Sequence, residues 1–145
     1  MKIIELTLNC EPIAKARART VTRNGKIRSY TPDKTREGQE TIKRLLEPYI
    51  RQCFPPHIAL RLTCTFYRTK SKWLPKKETM PFRKSDLDNF VKGLSDSISK
   101  SHSKKNNDTR YLIPDDAQIT TLIAKKRWSP TGQGYVTMRL EEDIE

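Results

Sequence analysis

Two acidic groups stand out in a strongly basic sequence. Asp86 and Asp88 lie in the segment KSDLDN, and Asp115 and Asp116 follow a proline further on. Carboxylates that gather in one pocket repel one another unless a cation neutralises them. Oxygen ligands favour magnesium (Mg2+), or manganese (Mn2+) as a substitute, over zinc. Such an ion can activate water and stabilise the leaving oxygen of a phosphodiester, which is hydrolytic nuclease chemistry.

Each acidic group also has a structural interpretation. An Asp in the first turn of a helix is favoured by the free amides and the helix dipole, and Asp pairs are common in turns. Taken singly, each group fits that interpretation better than a catalytic one.

The spacing of Asp86 and Asp88 makes a local prediction. In a regular helix, residues two apart point roughly 200° from each other, so they could not share one metal. In an extended segment, positions two apart face the same way. The two carboxylates therefore converge only if Asp86 is extended and the helix begins around Asp88. Leu87 would then point into the core, with the helix N-terminus beside the site.

Lys92 lies one helical turn after Asp88, on the same face, where its ammonium could contact a carboxylate or a substrate phosphate. The alternative is a surface ion pair with Asp88 or Asp96. Asp96 is expected to orient Lys92 instead of binding metal.

The charge balance indicates a polyanionic partner. Lysine and arginine number 29 against 17 acidic residues, giving a net charge of +12 and a pI near 9.8; nucleic acid is the leading candidate. Basic residues cluster at 11–30 and at 68–84, on either side of a helical segment. The candidates for contact with DNA are Lys15, Arg17, Arg19 and Lys84. Trp73 could stack on an exposed base or anchor its loop to the core.

Hydrophobic periodicity predicts the elements that position these residues. Alternation predicts a strand at 2–9 and a central strand at 58–66. For residues 11–30, the pattern predicts a mobile arm or a hairpin around Asn24-Gly25. A helix is predicted to start at Thr31-Pro32, and Pro48 is expected to end it early. A second helix is predicted at 85–99.

The remaining segments complete the prediction. Residues 68–84 are expected to form a long loop, and 100–110 an exposed and disordered connection. Residues 118–128 and 134–142 predict two strands joined as a hairpin.

Targeting signals and metal-binding cysteines are absent from the sequence pattern. The N-terminus lacks a signal-peptide core and no segment approaches a membrane span, so we expect a cytoplasmic protein with no membrane partner. Cys10, Cys53 and Cys64 form no Cys-x-x-Cys pair, which predicts reduced thiols, with Cys64 buried.

At the acidic residues, the sequence resembles the RusA family of Holliday junction resolvases, which are typically bacterial and prophage enzymes. The shared residues are Asp86-Leu87-Asp88-Asn89, Lys92, Asp96, Asp115-Asp116-Ala117-Gln118-Ile119 and then Lys125 or Lys126. Pro12, Lys15 and the basic arm through Tyr30-Thr31-Pro32 also match the N-terminal part of the family.

The resemblance implies a function and a site. It implies a magnesium-dependent homodimer that nicks opposing strands of four-way DNA junctions in recombination and repair. By motif, Asp86, Asp88 and Asp116 take the catalytic metal-binding roles, Lys92 is the essential basic residue and Asp115 is a possible helper. The expected fold is a single α/β (α+β) domain over residues 1–145, with a small mixed sheet of about four strands packed against two main helices.

Between Ile98 and Pro114, the chain departs from the family pattern, which usually has a shorter and more apolar connection there. Asp108 within this insertion is a weaker candidate ligand than Asp116. Two other functions remain open: a non-catalytic nucleic-acid binding protein whose acidic residues only cap helices and turns, and a nuclease for flaps or other branches.

Overall fold

The computed structural model describes residues 2–15, 19–30, 33–82, 86–100 and 107–144. It contains a four-stranded mixed sheet with the order β1-β6-β4-β5, a separate two-stranded hairpin and two main helices. The strands are β1 Ile3–Leu8, β2 Arg19–Arg23, β3 Lys26–Tyr30, β4 Leu60–Arg68, β5 Ile119–Trp128 and β6 Tyr135–Glu142, and the helices are α1 Asp33–Leu46 and α2 Leu87–Ile98. The predicted α+β arrangement of about four strands and two helices is confirmed.

The core lies between the two helices and one face of the sheet. Every second residue of β1 and β4 is buried, because alternate side chains of a strand point to opposite faces. Cys64 belongs to this core, and its burial raises the pKa of the thiol to about 12. No helix among the described residues combines the length and the apolar character needed to cross a membrane.

The predicted pairing of the last two strands is wrong. β5 and β6 are not neighbours, since β4 lies between them, parallel to β5 and antiparallel to β6. β4 is therefore central, as predicted. The six residues 129–134 span the gap across β4, a distance of about 10 Å that such a loop covers easily. α2 forms the crossover that a parallel β4–β5 pair requires.

Two local predictions concern the segments before β4. The basic arm forms the hairpin of β2 and β3, whose two-residue turn holds Asn24 at φ 53° and Gly25 at φ 73°, the positive angles that this turn type needs. α1 ends at Leu46, and Pro48 lies in the following 3-10 turn, Glu47–Gln52, so the early end of the helix is confirmed. The predicted helix start at residues 31–32 lies outside the described residues.

The insertion after α2 is closed at its base. Ser99 forms a parallel bridge with Ile113, and the amide of Lys100 donates to the Ile113 carbonyl at 3.0 Å. The Leu112 amide donates to the Ile98 carbonyl at 2.8 Å, and Leu112 and Ile113 are fully buried. The chain therefore leaves and re-enters the core at one point.

An ion-pair network holds the end of this insertion against α1. The guanidinium of Arg110 donates to both Glu40 oxygens at 2.8 Å and to both Asp108 oxygens at 2.9 to 3.0 Å. The prediction of an exposed connection is wrong for Asp108 and Arg110, whose side chains are 16% and 23% exposed. Because both Asp108 oxygens are bound to Arg110, Asp108 is a poor candidate metal ligand.

Because of this network, the free energy of unfolding depends on pH in the acidic range. Hydrogen bonds from Arg110 lower the pKa of Asp108 to about 2, below the value near 3.9 of an unfolded chain. The stabilisation is therefore present above about pH 4 and is lost as the pH falls towards 2. We expect Asp108→Asn to flatten this part of the pH profile of the unfolding free energy, measured by urea denaturation. An equally steep profile in the variant would contradict the assignment.

Candidate active site

The first turn of α2 carries the first acidic pair. Asp86 is the N-cap residue with extended backbone angles, φ −67° and ψ 142°, and the helix begins at Leu87. This confirms the predicted change from extended to helical backbone. The Asp86 carbonyl accepts from the amides of Asn89 and Phe90, at 3.1 and 3.3 Å. Leu87 packs against the core, whereas Asp86 and Asp88 are exposed.

The side chains at this helix end are available to an external ligand. Within the described residues, Asp86, Asp88 and Lys92 make no side-chain hydrogen bond or ion pair, and Asp86 does not cap its own helix. Lys92 is exposed one turn beyond Asp88. Free amides and the helix dipole add positive potential for an anion such as a phosphate.

Lys15, not Lys92, is the partner of Asp96. The Lys15 ammonium forms an ion pair with Asp96, and the Lys15 amide donates to the Asn89 carbonyl at 3.1 Å. Gly93 permits this close approach, since a Cβ at that position would lie 2.9 Å from the Ile13 carbonyl oxygen. The expectation that Asp96 orients Lys92 is therefore wrong. Asp96 instead fixes the segment before the basic arm onto α2.

Two cationic residues of the sheet lie on the face that packs against α2. Arg68 follows Phe66 in the alternation of β4, and its guanidinium lies 5.8 Å from the Phe90 ring centre and 5.7 Å from the Trp128 ring centre. Lys126 is the register partner of Phe66, whose ring stacks on Phe90 at 5.3 Å. Arg68 was not among the predicted site residues, although the alternation of β4 could have revealed it. Lys125 and Lys126 could not be distinguished from the sequence pattern. Lys126 is the one on the α2 side.

Asp115 and Asp116 lie in a 3-10 turn at the start of β5. The Asp115 carboxylate accepts from the Ala117 amide at 2.9 Å, and the Gln118 side chain accepts from the Asp115 amide at 3.2 Å, which forms a capping box. Gln118 also donates to the carbonyls of Pro55 and Ile58. Asp116 is exposed on this anchored turn.

The two acidic groups lie at opposite ends of the sheet. α2 runs antiparallel to β4 and β5, from the Phe66 end of β4 to the bridge between Ser99 and Ile113. Twelve helical residues cover about 18 Å, so one metal cannot contact Asp86 and Asp116 of a single chain. In the part of the chain that the structure describes, no three Asp, Glu, His or Cys side chains are close enough to hold a metal ion.

The other predicted contacts with DNA are described only in part. Arg17 and Lys84 lie outside the described residues, and Arg19 begins β2. Trp73 is 94% exposed, so its predicted alternative role as an anchor to the core is wrong. Phe82, at the end of the same loop, is 70% exposed.

Comparison with known proteins identifies the family of this chain. The family model described as endodeoxyribonuclease RusA matches residues 9–139. An uncharacterized protein, YqaN of Bacillus subtilis (strain 168), is 24% identical over 148 residues, which cover 96% of this chain and 97% of that protein. Because the family model spans most of the sequence, including both acidic groups, the chain belongs to the RusA family of endodeoxyribonucleases.

Proposed function

We propose that this protein is a magnesium-dependent, structure-selective endonuclease that resolves four-way DNA junctions by paired nicks in recombination and repair. The observation that carries the proposal is the start of α2, where Asp86, Asp88 and, one turn on, Lys92 are exposed and make no side-chain hydrogen bond or ion pair with the described residues, in a chain of charge +12. Carboxylates beside a cation and a helix N-terminus suit a site for a divalent ion and a phosphate.

Each residue of the proposed site has a distinct role. Asp86, Asp88 and Asp116 would hold Mg2+ or Mn2+, which supplies an activated water and neutralises charge on the scissile phosphate. Lys92 contacts a non-bridging phosphate oxygen and stabilises the charge that develops there. Asp115 acts indirectly, because its capping bond to Ala117 fixes the turn that carries Asp116.

We infer that the complete site needs two chains. Since α2, which is about 18 Å long, lies between the turn of Asp86 and the segment that leads to Asp116, the third carboxylate would come from Asp116 of a second copy. A twofold homodimer would then contain two identical sites, which suits the near-twofold symmetry of a four-way junction.

Basic segments beside the site would bind the phosphate backbone of the DNA. Lys15, Arg17, Arg19 and Lys84 are the proposed phosphate contacts. The Lys15 contact requires its ion pair with Asp96 to be shared with, or exchanged for, a phosphate. Trp73 is exposed enough to stack on an unpaired base at the junction centre.

The test compares cleavage of synthetic four-way junction, flap and duplex DNA with magnesium and with chelator. We expect paired nicks in the junction, much slower cleavage of the flap and duplex, and no cleavage with chelator. Preferred cleavage of the flap would indicate a nuclease for other branches. Salt-dependent binding without any cleavage would support a non-catalytic nucleic-acid binding protein instead.

A further inference from the structure

Arg68, at the end of β4, is held against two aromatic rings. Its half-buried guanidinium lies 5.8 Å from the ring centre of Phe90 and 5.7 Å from the ring centre of Trp128. Phe90 belongs to α2, and Trp128 is the register partner of Arg68 on β5. A cation is attracted to the face of an aromatic ring, so rings on two different elements restrict the guanidinium to one place.

Trp128 contributes its ring to this contact, and not its N–H group. The Nε1 atom of Trp128 is buried and has no hydrogen-bond partner among the described residues. A buried donor without a partner is unfavourable, and an aliphatic side chain would fill the same space without that cost. The compensating interaction is the contact of the ring with Arg68. Trp128 is therefore suited to position the guanidinium.

The guanidinium of Arg68 lies beside the start of α2. Phe90 is four residues after Asp86, so the two lie on the same side of the helix, and helical side chains lean towards the N-terminus. Lys92, two residues after Phe90, is exposed and points about 200° away from it around the helix axis. The start of α2 therefore has one cation on the side of the sheet and another on the side of the solvent.

We propose that Arg68 binds a phosphate next to the scissile phosphate on the cleaved strand, and that Phe90 and Trp128 position it for this contact. The inference rests on the proposed function, because it assigns a further substrate contact to the same site. A guanidinium that packs by its face can still donate from its edge, with two parallel hydrogen bonds to one phosphate. Because Arg68 and Lys92 lie on different sides of the helix start, a strand that crosses this end would present neighbouring phosphates to them.

The contact can be tested by the salt dependence of junction binding, measured in chelator so that no cleavage occurs. Arg68→Gln removes a charge-assisted phosphate contact, so we expect the dissociation constant of a synthetic four-way junction to rise about 10-fold. The slope of log affinity against log salt should become shallower by about 0.9 for each chain bound. Arg68→Lys keeps the charge and should keep the wild-type slope, with part of the affinity lost.

The matched control is Arg61→Gln on the same strand. Arg61 lies on the opposite face of β4 and is paired with Asp143 at 3.4 Å. Its replacement changes the net charge equally, and we expect the wild-type slope. Trp128→Leu should weaken binding about 3-fold at the wild-type slope, because it loosens Arg68 without removing the contact. A wild-type slope in Arg68→Gln, an equal change of slope in Arg61→Gln or unchanged affinity in Trp128→Leu would each overturn the proposal.

A second measurement uses the wild-type protein and covers the case in which Arg68→Gln does not fold. Neutral methylphosphonate groups replace single phosphates of the junction around the cleavage position. We expect one position next to the scissile phosphate to raise the dissociation constant and make the slope shallower. In folded Arg68→Gln, the same replacement should have no further effect, since the contact is already lost.

The outcomes of this measurement separate the contact from the proposed function. If neither neighbouring position affected binding by the wild type, the proposal would be overturned, whatever the cleavage activity. Binding with the expected properties but no cleavage in magnesium would refute the proposed function and leave the phosphate contact of Arg68 standing.

Discussion

Replacing Asp88 by asparagine is expected to reduce nicking of a four-way junction by about 1,000-fold, since a lost metal ligand removes several kcal/mol of transition-state stabilisation. Binding of the junction should persist or strengthen, because the change removes a negative charge beside a phosphate. Single-turnover cleavage in magnesium and a binding titration in calcium or chelator would measure the two effects separately.

The matched control is Asp33→Asn in the first turn of α1. Asp33 also lies in the first turn of its helix and is exposed, but its carboxylate is paired with Arg36 at 2.5 Å. We expect near wild-type cleavage from this variant. If Asp88→Asn cleaved as fast as wild type, Asp88 would have no part in the mechanism, and its role would be a favourable interaction with the helix dipole.

Mixing two inactive variants is expected to restore activity if the site is shared between chains. Asp88→Asn and Asp116→Asn damage different half-sites, so a mixed dimer contains one site with both changes and one intact site. After random exchange of subunits, half of the dimers are mixed, and nicking should recover to about a quarter of the wild-type rate. The rate of single-strand nicking is the suitable measurement, because a mixed dimer cannot make both cuts at once.

The control for this experiment is a mixture of Asp86→Asn and Asp88→Asn. These residues lie in the same turn of α2, so every site in the mixed dimer contains a damaged half and no activity should return. Failure of the first mixture to recover, with subunit exchange verified, would indicate a site formed within one chain. The separation of Asp86 and Asp116 along α2 would then have to close by a conformational change.

Local patterns predicted the elements of this fold better than their pairing. The alternation of β4 and the periodicity of α2 follow from burial of one face, and that information is present in consecutive residues. The order of strands depends on contacts between distant segments. β5 and β6 are separated by six residues and were predicted to pair, but β4 contributes buried side chains at every second position and is paired along both edges.

The same difference between local patterns and distant contacts explains which features of the candidate site could be predicted. The extended backbone at Asp86 could be predicted because the carboxylates of Asp86 and Asp88 must converge to bind one metal ion. The distance from Asp86 to Asp116 could not be predicted, since it depends on β4 and β5 being parallel. A helix that connects parallel strands begins where the first strand ends and finishes where the second begins. Residues at its two ends are therefore separated by its whole length.

Because Ser99 is bridged to Ile113, the position of the chain after the insertion does not depend on the number of residues in the insertion. Both sides of the insertion are tied to each other and to the core, so residues can be gained or lost between them without shifting the turn that carries Asp116. The length of the chain can therefore vary between Lys100 and Asp108 without disturbing the Arg110 network, and the same position offers an engineer a place to graft a foreign peptide.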